Sequence, residues 1–190
     1  MTDTNIITLE CVVIKKCIEG DHNFFKKLYD SYKDRVYSTS VRMLGNRLDA
    51  EDALQEIFIK VFKNISRFRG DSSFTTWLYK IAVNTCIEHI RKRKKDEKIV
   101  DIDPHDDNSP VLPGIRPAEN FRLIVESEIE KLPEGYKTVF ILHAIEGFKY
   151  REIADILDIS QGTSKSQFFH AKSLLRKKLL PYLEVLKYEL

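Results

Sequence analysis

The sequence predicts an all-α protein made of two small helical domains joined by an acidic, proline-rich linker. Apolar residues recur at helical spacing on both sides of that linker, and no strand-like alternation persists anywhere in the chain. Size agrees with this prediction, because 190 residues, of which 43% are hydrophobic, suffice for two small cores and exclude a wholly disordered chain.

The linker is predicted at 96–120, between domains at 1–95 and 121–190. It holds seven acids against two bases, and four of the six prolines of the chain. Two basic zones flank it: 91–95 reads RKRKK, and 159–182 contains five bases and no acid. The net charge of +2 therefore hides a strong segregation, and near-neutrality does not exclude nucleic acid as a partner.

Several function classes find no support in the sequence. The three cysteines form no CxxC pair, and the five histidines have no ligand-like spacing, so we expect no metal, no cofactor and no catalytic centre. Neither a signal peptide nor an apolar run of about 18–20 residues is present, so we expect a cytoplasmic protein with free thiols and no membrane insertion.

The first domain opens with a helix over 24–44, which Gly45 and Asn46 end. A second helix, DAEDALQEIFIKVFKNI, follows with Asp49 as the expected N-cap. One side is apolar and predicted to be buried: Ala53, Leu54, Ile57, Phe58, Val61 and Phe62. The other side carries Asp49, Asp52, Gln55 and Glu56. It is either a solvated surface or an interface, and Ile59, which projects among these polar residues, has the character of an interface anchor.

A third helix follows a loop over 67–73, with Ser72 or Ser73 as its cap. Its predicted buried side is Leu78, Tyr79, Ala82, Val83, Cys86 and Ile90. The opposite side carries Trp77, Lys80, Asn84, Glu88 and Arg91. An aromatic plane, an amide and cations are what a single nucleic-acid strand needs. The alternatives are a half-buried core tryptophan with a solvated helix end, and a localisation signal at RKRKK.

The second domain contains a helix-turn-helix pattern. One helix opens at 132–134 and ends near Gly147, a second carries Ile153, Ala154 and Leu157, and a turn at 158–160 leads to a third helix capped by Ser160. On the third helix we expect Phe168, Ala171, Leu174 and Leu175 to point inward. The outward face carries Lys165, Ser166, Phe169, Lys172, Ser173 and Arg176, which suits the major groove, with Phe169 against a thymine methyl. The alternative is a helical scaffold with a basic exposed helix.

Taken in order, these segments resemble the extracytoplasmic-function (ECF) class of bacterial RNA polymerase sigma factors, within the sigma-70 family. The resemblance covers roughly 20–95 and 120–182. It rests on DAEDALQEIFIKVF, FRGDSSFTTWLYKIAVNT and LPEGYKTVFILHAIEGFKYREIADILDISQGTSKSQ. It implies a region 2 bundle, a region 4 helix-turn-helix and a transcription initiation factor that binds core RNA polymerase, reads −35 and −10 promoter elements and helps melt promoter DNA.

The resemblance also implies site residues. Contacts to the clamp helices of the polymerase largest subunit would come from Asp49, Asp52, Gln55, Glu56 and Ile59, with a second contact at the flap region. Recognition of the −10 element would involve the specificity loop and the helix after it: Phe68, Asp71, Ser72, Ser73, Phe74, Trp77, Lys80, Asn84 and Arg91. The −35 element would be read by His143, Lys165, Ser166, Gln167, Phe169, His170 and Lys172.

Further implications concern the linker and regulation. The acidic linker would occupy the RNA exit path or serve as a plain tether, and an anti-sigma factor would be a partner. The family usually has arginine at Gln167 and His170 and a small apolar residue at Ser164, so we expect weaker −35 anchoring unless Lys172 and 176–178 compensate. Two other classes stay open: a stand-alone helix-turn-helix regulator with a sensing or dimerising N-terminal domain, and a DNA-processing enzyme.

Overall fold

A computed structural model of the chain describes residues 3–97 and 117–186, and describes side chains over 11–96 and 121–182. Every secondary-structure element in those ranges is helical, which confirms the all-α prediction. The described residues cluster into two compact units. Most of the expected linker, 98–116, lies outside the described residues, and helices extend into both of its ends.

The first unit contains four helices and a short turn: α1 (Asp3–Ile18), α2 (His22–Leu44), α3 (Arg47–Asn64), a 3-10 turn (Ile65–Arg67) and α4 (Phe74–Glu97). Its core lies where α2, α3 and α4 bring together Val36, Ile57 and Val83, all fully buried. Tyr79 of α4 is also fully buried, and its hydroxyl lies 3.4 Å from the hydroxyl of Thr39 on α2.

The predicted buried side of α4 is confirmed, because Leu78, Tyr79, Ala82, Val83, Cys86 and Ile90 are all buried. The predicted buried side of α3 is confirmed at Ala53, Ile57, Phe58 and Val61, and Leu54 is half-buried. The prediction is wrong at Phe62, which remains 45% exposed. Phe62 lies at the edge of the apolar face, where its ring stacks on His22 and meets Phe25 edge-on, both from α2. Periodicity assigns a side of a helix, but the neighbouring helix decides how far that side is covered.

The start of α3 also differs from expectation. The helix begins at Arg47, and its N-cap is Asn46 rather than Asp49. Asn46 has an extended backbone, and its side-chain oxygen accepts hydrogen bonds from the amides of Leu48 at 2.8 Å and Asp49 at 3.4 Å. Asp49 lies inside the first turn, where its charge favours the helix dipole but makes no cap.

Replacing Asn46 by alanine is therefore expected to lower the free energy of unfolding of the first unit by about 1 kcal/mol. Asp49→Ala should cost clearly less, because the amides of the first turn keep their acceptor. Urea unfolding followed by fluorescence measures this unit alone, since the single tryptophan, Trp77, lies in α4. Asn23→Ala, an exposed change on α2, is the control. A larger loss for Asp49→Ala than for Asn46→Ala would contradict the cap assignment.

The second unit contains α5 (Pro117–Glu130), α6 (Glu134–Phe140), a π-helical turn (Ile141–Ile145), α7 (Tyr150–Leu157) and α8 (Gln161–Leu186). The expected first helix of the helix-turn-helix is thus α6 continued by the π turn. Ser160 caps α8 as predicted, since its hydroxyl accepts the Thr163 amide at 2.9 Å. The turn before it holds Asp158 at a left-handed φ of 55°, a conformation that aspartate tolerates better than most residues.

One predicted inward residue of α8 is wrong. Ala171 and Leu175 are buried and pack with Ile129 of α5 and with Leu132, whereas Leu174 is 39% exposed. Val125 of α5 and Tyr136 and Phe140 of α6 also pack against this cluster. Leu174 is not part of it.

Candidate functional site

The exposed face of α3 lies opposite its buried residues Ala50, Ile57 and Val61. Asp52 and Gln55 are exposed on it, and Ile59 is 53% exposed at its C-terminal end. Leu48, which was not predicted for this face, is 72% exposed one turn before Asp52. Leu48 precedes Asp52, Gln55 and Ile59 by 4, 7 and 11 residues, so all four lie on one face of the helix. This spacing is the sequence signal that could have identified Leu48 as part of the face.

Two of the acids predicted for this face are engaged within the chain instead. Asp49 lies 3.4 Å from Arg93 of α4, and that guanidinium also donates to the carbonyl of Leu44. Glu56 contacts Lys60 at 2.8 Å through one carboxylate oxygen and His89 at 2.9 Å through the other. Hydrogen bonds from Lys60 and from His89 hold the pKa of Glu56 below its usual value, so the carboxylate is ionised at neutral pH.

An aromatic cluster lies where the loop before α4 meets the first turn of that helix. The rings of Phe68, Phe74 and Trp77 have centroids 5.5–5.6 Å apart. Phe74 is buried, Phe68 and Trp77 are half-buried, and the Ser73 hydroxyl caps α4 by accepting the Thr76 amide at 3.1 Å. Of the two caps considered, Ser73 is the one used. The buried ring of Phe74 packs against the ring of Trp77. In the loop, Asp71 is exposed and Ser72 is half-exposed.

A cleft of about 480 Å³ lies beside this cluster, between α3 and α4. It brings together Trp77 and Asn84, two residues predicted for −10 recognition, with six further residues: Lys60, Asn64, Arg67, Ile81, Thr85 and Glu88. Lys80 and Arg91 are exposed on α4 outside its lining. Lys60, Asn64 and Arg67 were not predicted, because no local sequence signal relates α3 and the 3-10 turn after it to the middle of α4.

Chemically, the cleft offers what an extruded base and its backbone require. The Trp77 ring provides a stacking surface, and the amide of Asn84 provides a donor and an acceptor. Lys60 of α3 and Arg67 of the 3-10 turn add two cations beside the carboxylate of Glu88. No helix in the described ranges is long and apolar enough to cross a bilayer. Over the same ranges, no cluster of histidine, cysteine and acidic residues could share a metal ion.

The outward face of α8 carries most of the residues predicted for −35 recognition. Lys165, Ser166, His170 and Lys172 are exposed, and Phe169 is 69% exposed. Gln167 is half-buried, and its amide nitrogen lies 3.3 Å from the position that a Cβ on Gly135 would take. The ring of His170 stacks on Tyr136 of α6, with centroids 5.6 Å apart. Gln167 and His170, at positions where the resemblance implies arginine, therefore both lie beside the start of α6.

His143 is placed differently from the other −35 candidates. Its ring lies 4.2 Å from the Tyr150 ring and 4.5 Å from the Phe168 ring, and its Nδ1 donates to the carbonyl of Phe148 at 2.8 Å. Ser164 is fully buried, and its hydroxyl lies within donating distance of two carbonyls, that of Gln161 in α8 at 2.9 Å and that of Tyr150 in α7 at 3.1 Å. This hydroxyl, at a position where the resemblance implies a small apolar residue, therefore provides a polar contact between α8 and α7.

Family models match both units. The model "Sigma-70 region 2" matches residues 28–96, and the model "Sigma-70, region 4" matches residues 122–175. These matches cover the helices that carry the cleft and the helices of the helix-turn-helix.

Two similar proteins align in sequence with most of this chain. The ECF RNA polymerase sigma factor SigW of Bacillus subtilis is 36% identical over 176 residues, covering 87% of this chain and 94% of that protein. The ECF RNA polymerase sigma-E factor of Escherichia coli K12 is 33% identical over 180 residues, covering 90% and 94%.

Two solved structures share the fold. The sigma factor RpoE of Bartonella quintana, in complex with the anti-sigma factor NepR, gives a TM-score of 0.66 at 22% identity, covering 82% of this chain and 96% of that one. CnrH, in complex with the cytosolic domain of CnrY, gives a TM-score of 0.65 at 21% identity, covering 88% of this chain and 95% of that one. Both family models match this chain, and two relatives of more than 30% identity align with it over 94% of their own length. The chain therefore belongs to the ECF RNA polymerase sigma factors, the transcription initiation factors that direct core polymerase to promoters.

Proposed function

We propose that the two units divide the work of promoter recognition between them. Residues 1–95 dock on core RNA polymerase and capture the −10 element, residues 121–190 read the −35 element, and 96–120 join the two. The observation that carries this proposal is the cleft in which Trp77 of the first turn of α4 meets Asn84 two turns later. An extruded base needs a stacking ring and an amide in one place, and α4 supplies both.

Docking on the polymerase uses the exposed face of α3. Asp52 and Gln55 contact a cationic surface on the clamp helices, and Leu48 and Ile59 fill apolar sites at either end of the contact. An apolar anchor surrounded by polar residues is the arrangement typical of interface hot spots. Asp49 and Glu56 act at the margin of this face, because each also contacts α4.

Capture of the −10 element uses the cleft and the basic end of α4. Trp77 stacks on a base and Asn84 hydrogen-bonds a base edge, while Lys80 and Arg91, both exposed, neutralise backbone phosphates. The loop with Asp71, Ser72 and Ser73 borders the captured base, with Phe68 and Phe74 behind it.

Reading of the −35 element uses α8. Lys165, Ser166 and Gln167 lie in its first two turns, which reach base edges in helix-turn-helix proteins, and Lys172 follows at the backbone. Phe169 contacts a thymine methyl. His143 acts by holding the π turn against α7 and α8, as its ring contacts with Tyr150 and Phe168 support.

Regulation and location follow from the same function. One of the two solved structures above holds an anti-sigma factor, and the other holds a partner's cytosolic domain. We propose an anti-sigma partner for this chain as well. A factor that works on core polymerase and promoter DNA acts in the bacterial cytoplasm and needs no catalytic centre of its own. The stand-alone regulator is not favoured, because the region 2 model matches the N-terminal unit.

The division of work is tested by Gln167→Ala. Transcription by core polymerase with this chain, first on genomic DNA and then on promoter libraries randomised at −35 or at −10, measures both preferences. We expect the preference at one −35 base pair to fall about tenfold, the value of one bidentate contact, with the −10 preference unchanged.

Glu130→Gln, an exposed change on α5 of the same unit, is the control for Gln167→Ala and should leave both preferences as they are. Equal losses at the −35 and −10 elements would contradict the assignment of α8 to the −35 element.

A further inference from the structure

The start of α6 carries a glycine that its backbone does not require. Gly135 is the second residue of α6, and it is not among the glycines that have a positive φ. Alanine would suit this helix better, because glycine is one of the poorest helix formers. A residue that departs from the local preference of its helix points to a role in what surrounds the helix.

The space beside Gly135 is filled by the side-chain amide of Gln167, from α8. The amide nitrogen, carbon and oxygen lie 3.3, 3.7 and 3.8 Å from the position that a Cβ on Gly135 would take. Because these three distances are similar, the plane of the amide faces the glycine. Non-bonded carbon atoms prefer separations of about 3.5–4.0 Å, so a methyl group at residue 135 would crowd the amide nitrogen and displace the amide.

The next residue of α6 supports a second side chain of α8. The rings of Tyr136 and His170 are stacked, with centroids 5.6 Å apart and planes inclined by 21°. Tyr136 is half-buried and packs against the core cluster that contains Ile129 and Ala171, so its ring is held from the core side. His170 is exposed, and the fixed tyrosine ring therefore holds the imidazole at the surface.

We propose that Gly135 and Tyr136 are positioning residues for the −35 element, which hold Gln167 and His170 in place before DNA binds. This inference rests on the proposed assignment of α8 to the −35 element. Gln167 and His170 are three residues apart, so they lie on one side of α8 and meet two consecutive residues of α6. Neither Gly135 nor Tyr136 contacts DNA in this arrangement.

The two positioning residues act in different ways. Gly135 leaves room for the amide of Gln167 to lie in the orientation in which it contacts a base edge. Tyr136 holds the ring of His170 so that an imidazole N–H can donate to a phosphate of the −35 element. A side chain that is fixed before binding loses less conformational freedom on binding, and a small displacement weakens a contact made through two hydrogen bonds.

The role of the glycine is tested with core polymerase, the full chain and promoter libraries randomised at −35 or at −10. Gly135→Ala should lower the preference at the base pair that depends on Gln167 by about threefold to tenfold. The preferences at the other −35 positions and at −10 should stay unchanged, as they should for the control Glu130→Gln. Thermal unfolding followed by far-UV circular dichroism should not shift to lower temperature, because alanine favours the helix.

Gln167→Ala supplies the background that separates positioning from distortion. Once Gln167 is absent, Gly135→Ala should lower no preference further. A further loss in the double variant, or an equal loss at every −35 position, would show a distorted helix-turn-helix and overturn the inference. Full preference in Gly135→Ala, where Gln167→Ala has lost it, would overturn the inference and leave the proposed function intact. No loss with Gln167→Ala itself would overturn the proposed reading by Gln167, and the inference with it.

The role of the tyrosine is tested by the affinity of the holoenzyme for a promoter fragment, from gel shifts in the cold, where the DNA stays closed. His170→Ala and Tyr136→Leu should each lower this affinity by roughly threefold to tenfold, the value of one hydrogen bond, and the double variant should lose no more. Tyr136→Phe keeps the ring and should stay within about twofold of the unmodified chain. Equal losses for the leucine and phenylalanine variants, or losses that add in the double variant, would overturn the positioning of His170 by the tyrosine ring.

Discussion

Asp52→Lys is expected to lower the affinity of the chain for core RNA polymerase by about a hundredfold or more. Asp52 is exposed at the middle of the α3 docking face, between Leu48 and Ile59. A lysine there would place a cation against a cationic partner, and repulsion in the desolvated centre of an interface costs far more than at its rim. Co-elution and fluorescence titration with core polymerase measure the loss.

The control for this substitution is Asp34→Lys, an equal charge reversal at an exposed position of α2. It should change the affinity by less than about threefold, since charges outside a contact act mainly on the association rate. Both substitutions are at the surface and should leave the unfolding transition of Trp77 fluorescence nearly unchanged. If Asp52→Lys binds core polymerase as tightly as the unmodified chain, the exposed face of α3, including Leu48, is not the docking surface.

Asn84→Ala is expected to slow open-complex formation on duplex promoters by about tenfold to a hundredfold. Extruding a base costs a few kcal/mol of stacking and pairing, and capture returns about 1–3 kcal/mol. Without the amide, the base edge finds no partner in the cleft beside Trp77. On a promoter already melted around the −10 element, the loss should be no more than about threefold, because the extrusion cost is absent.

The matched control is Asn23→Ala, which removes the same exposed amide from the start of α2. It should leave initiation unchanged on both templates. Potassium permanganate footprinting of unpaired thymines, followed over time, measures opening directly. An equal loss on duplex and melted templates would show that Asn84 serves a step other than base capture. Trp77 is less suited to this test, because its ring also packs on Phe68 and Phe74.

Helical periodicity predicted the buried side of α4 correctly at all six positions, because a long helix between two neighbours buries one continuous stripe. It failed at Phe62 and Leu174, which lie at the edges of their stripes. Coverage at an edge depends on the position of the next helix, and a sequence pattern carries no information about that position. The cap of α3 was misassigned for a local reason: Asn46 and Asp49 are both good caps, and only the backbone geometry distinguishes them.

The candidate site divides in the same way. Trp77 and Asn84 could be found from the sequence, because they lie on one helix at a spacing that places them on one side. Lys60, Asn64 and Arg67 could not be found in this way, because they line the cleft from the last turns of α3 and from the 3-10 turn after it. Likewise, the pairing of Glu56 with His89 and of Asp49 with Arg93 joins positions more than thirty residues apart.

The sequence by itself determined the all-α class, the two helical units, the helix-turn-helix with its Ser160 cap, and the family. Each of these depends on local spacing, caps and motif order, which are properties of neighbouring residues. Tertiary structure alone decided which acids of α3 remain exposed for a partner and which are held by α4. It also decided that Lys60 stands between the docking face and the cleft, because contacts between helices depend on how they pack.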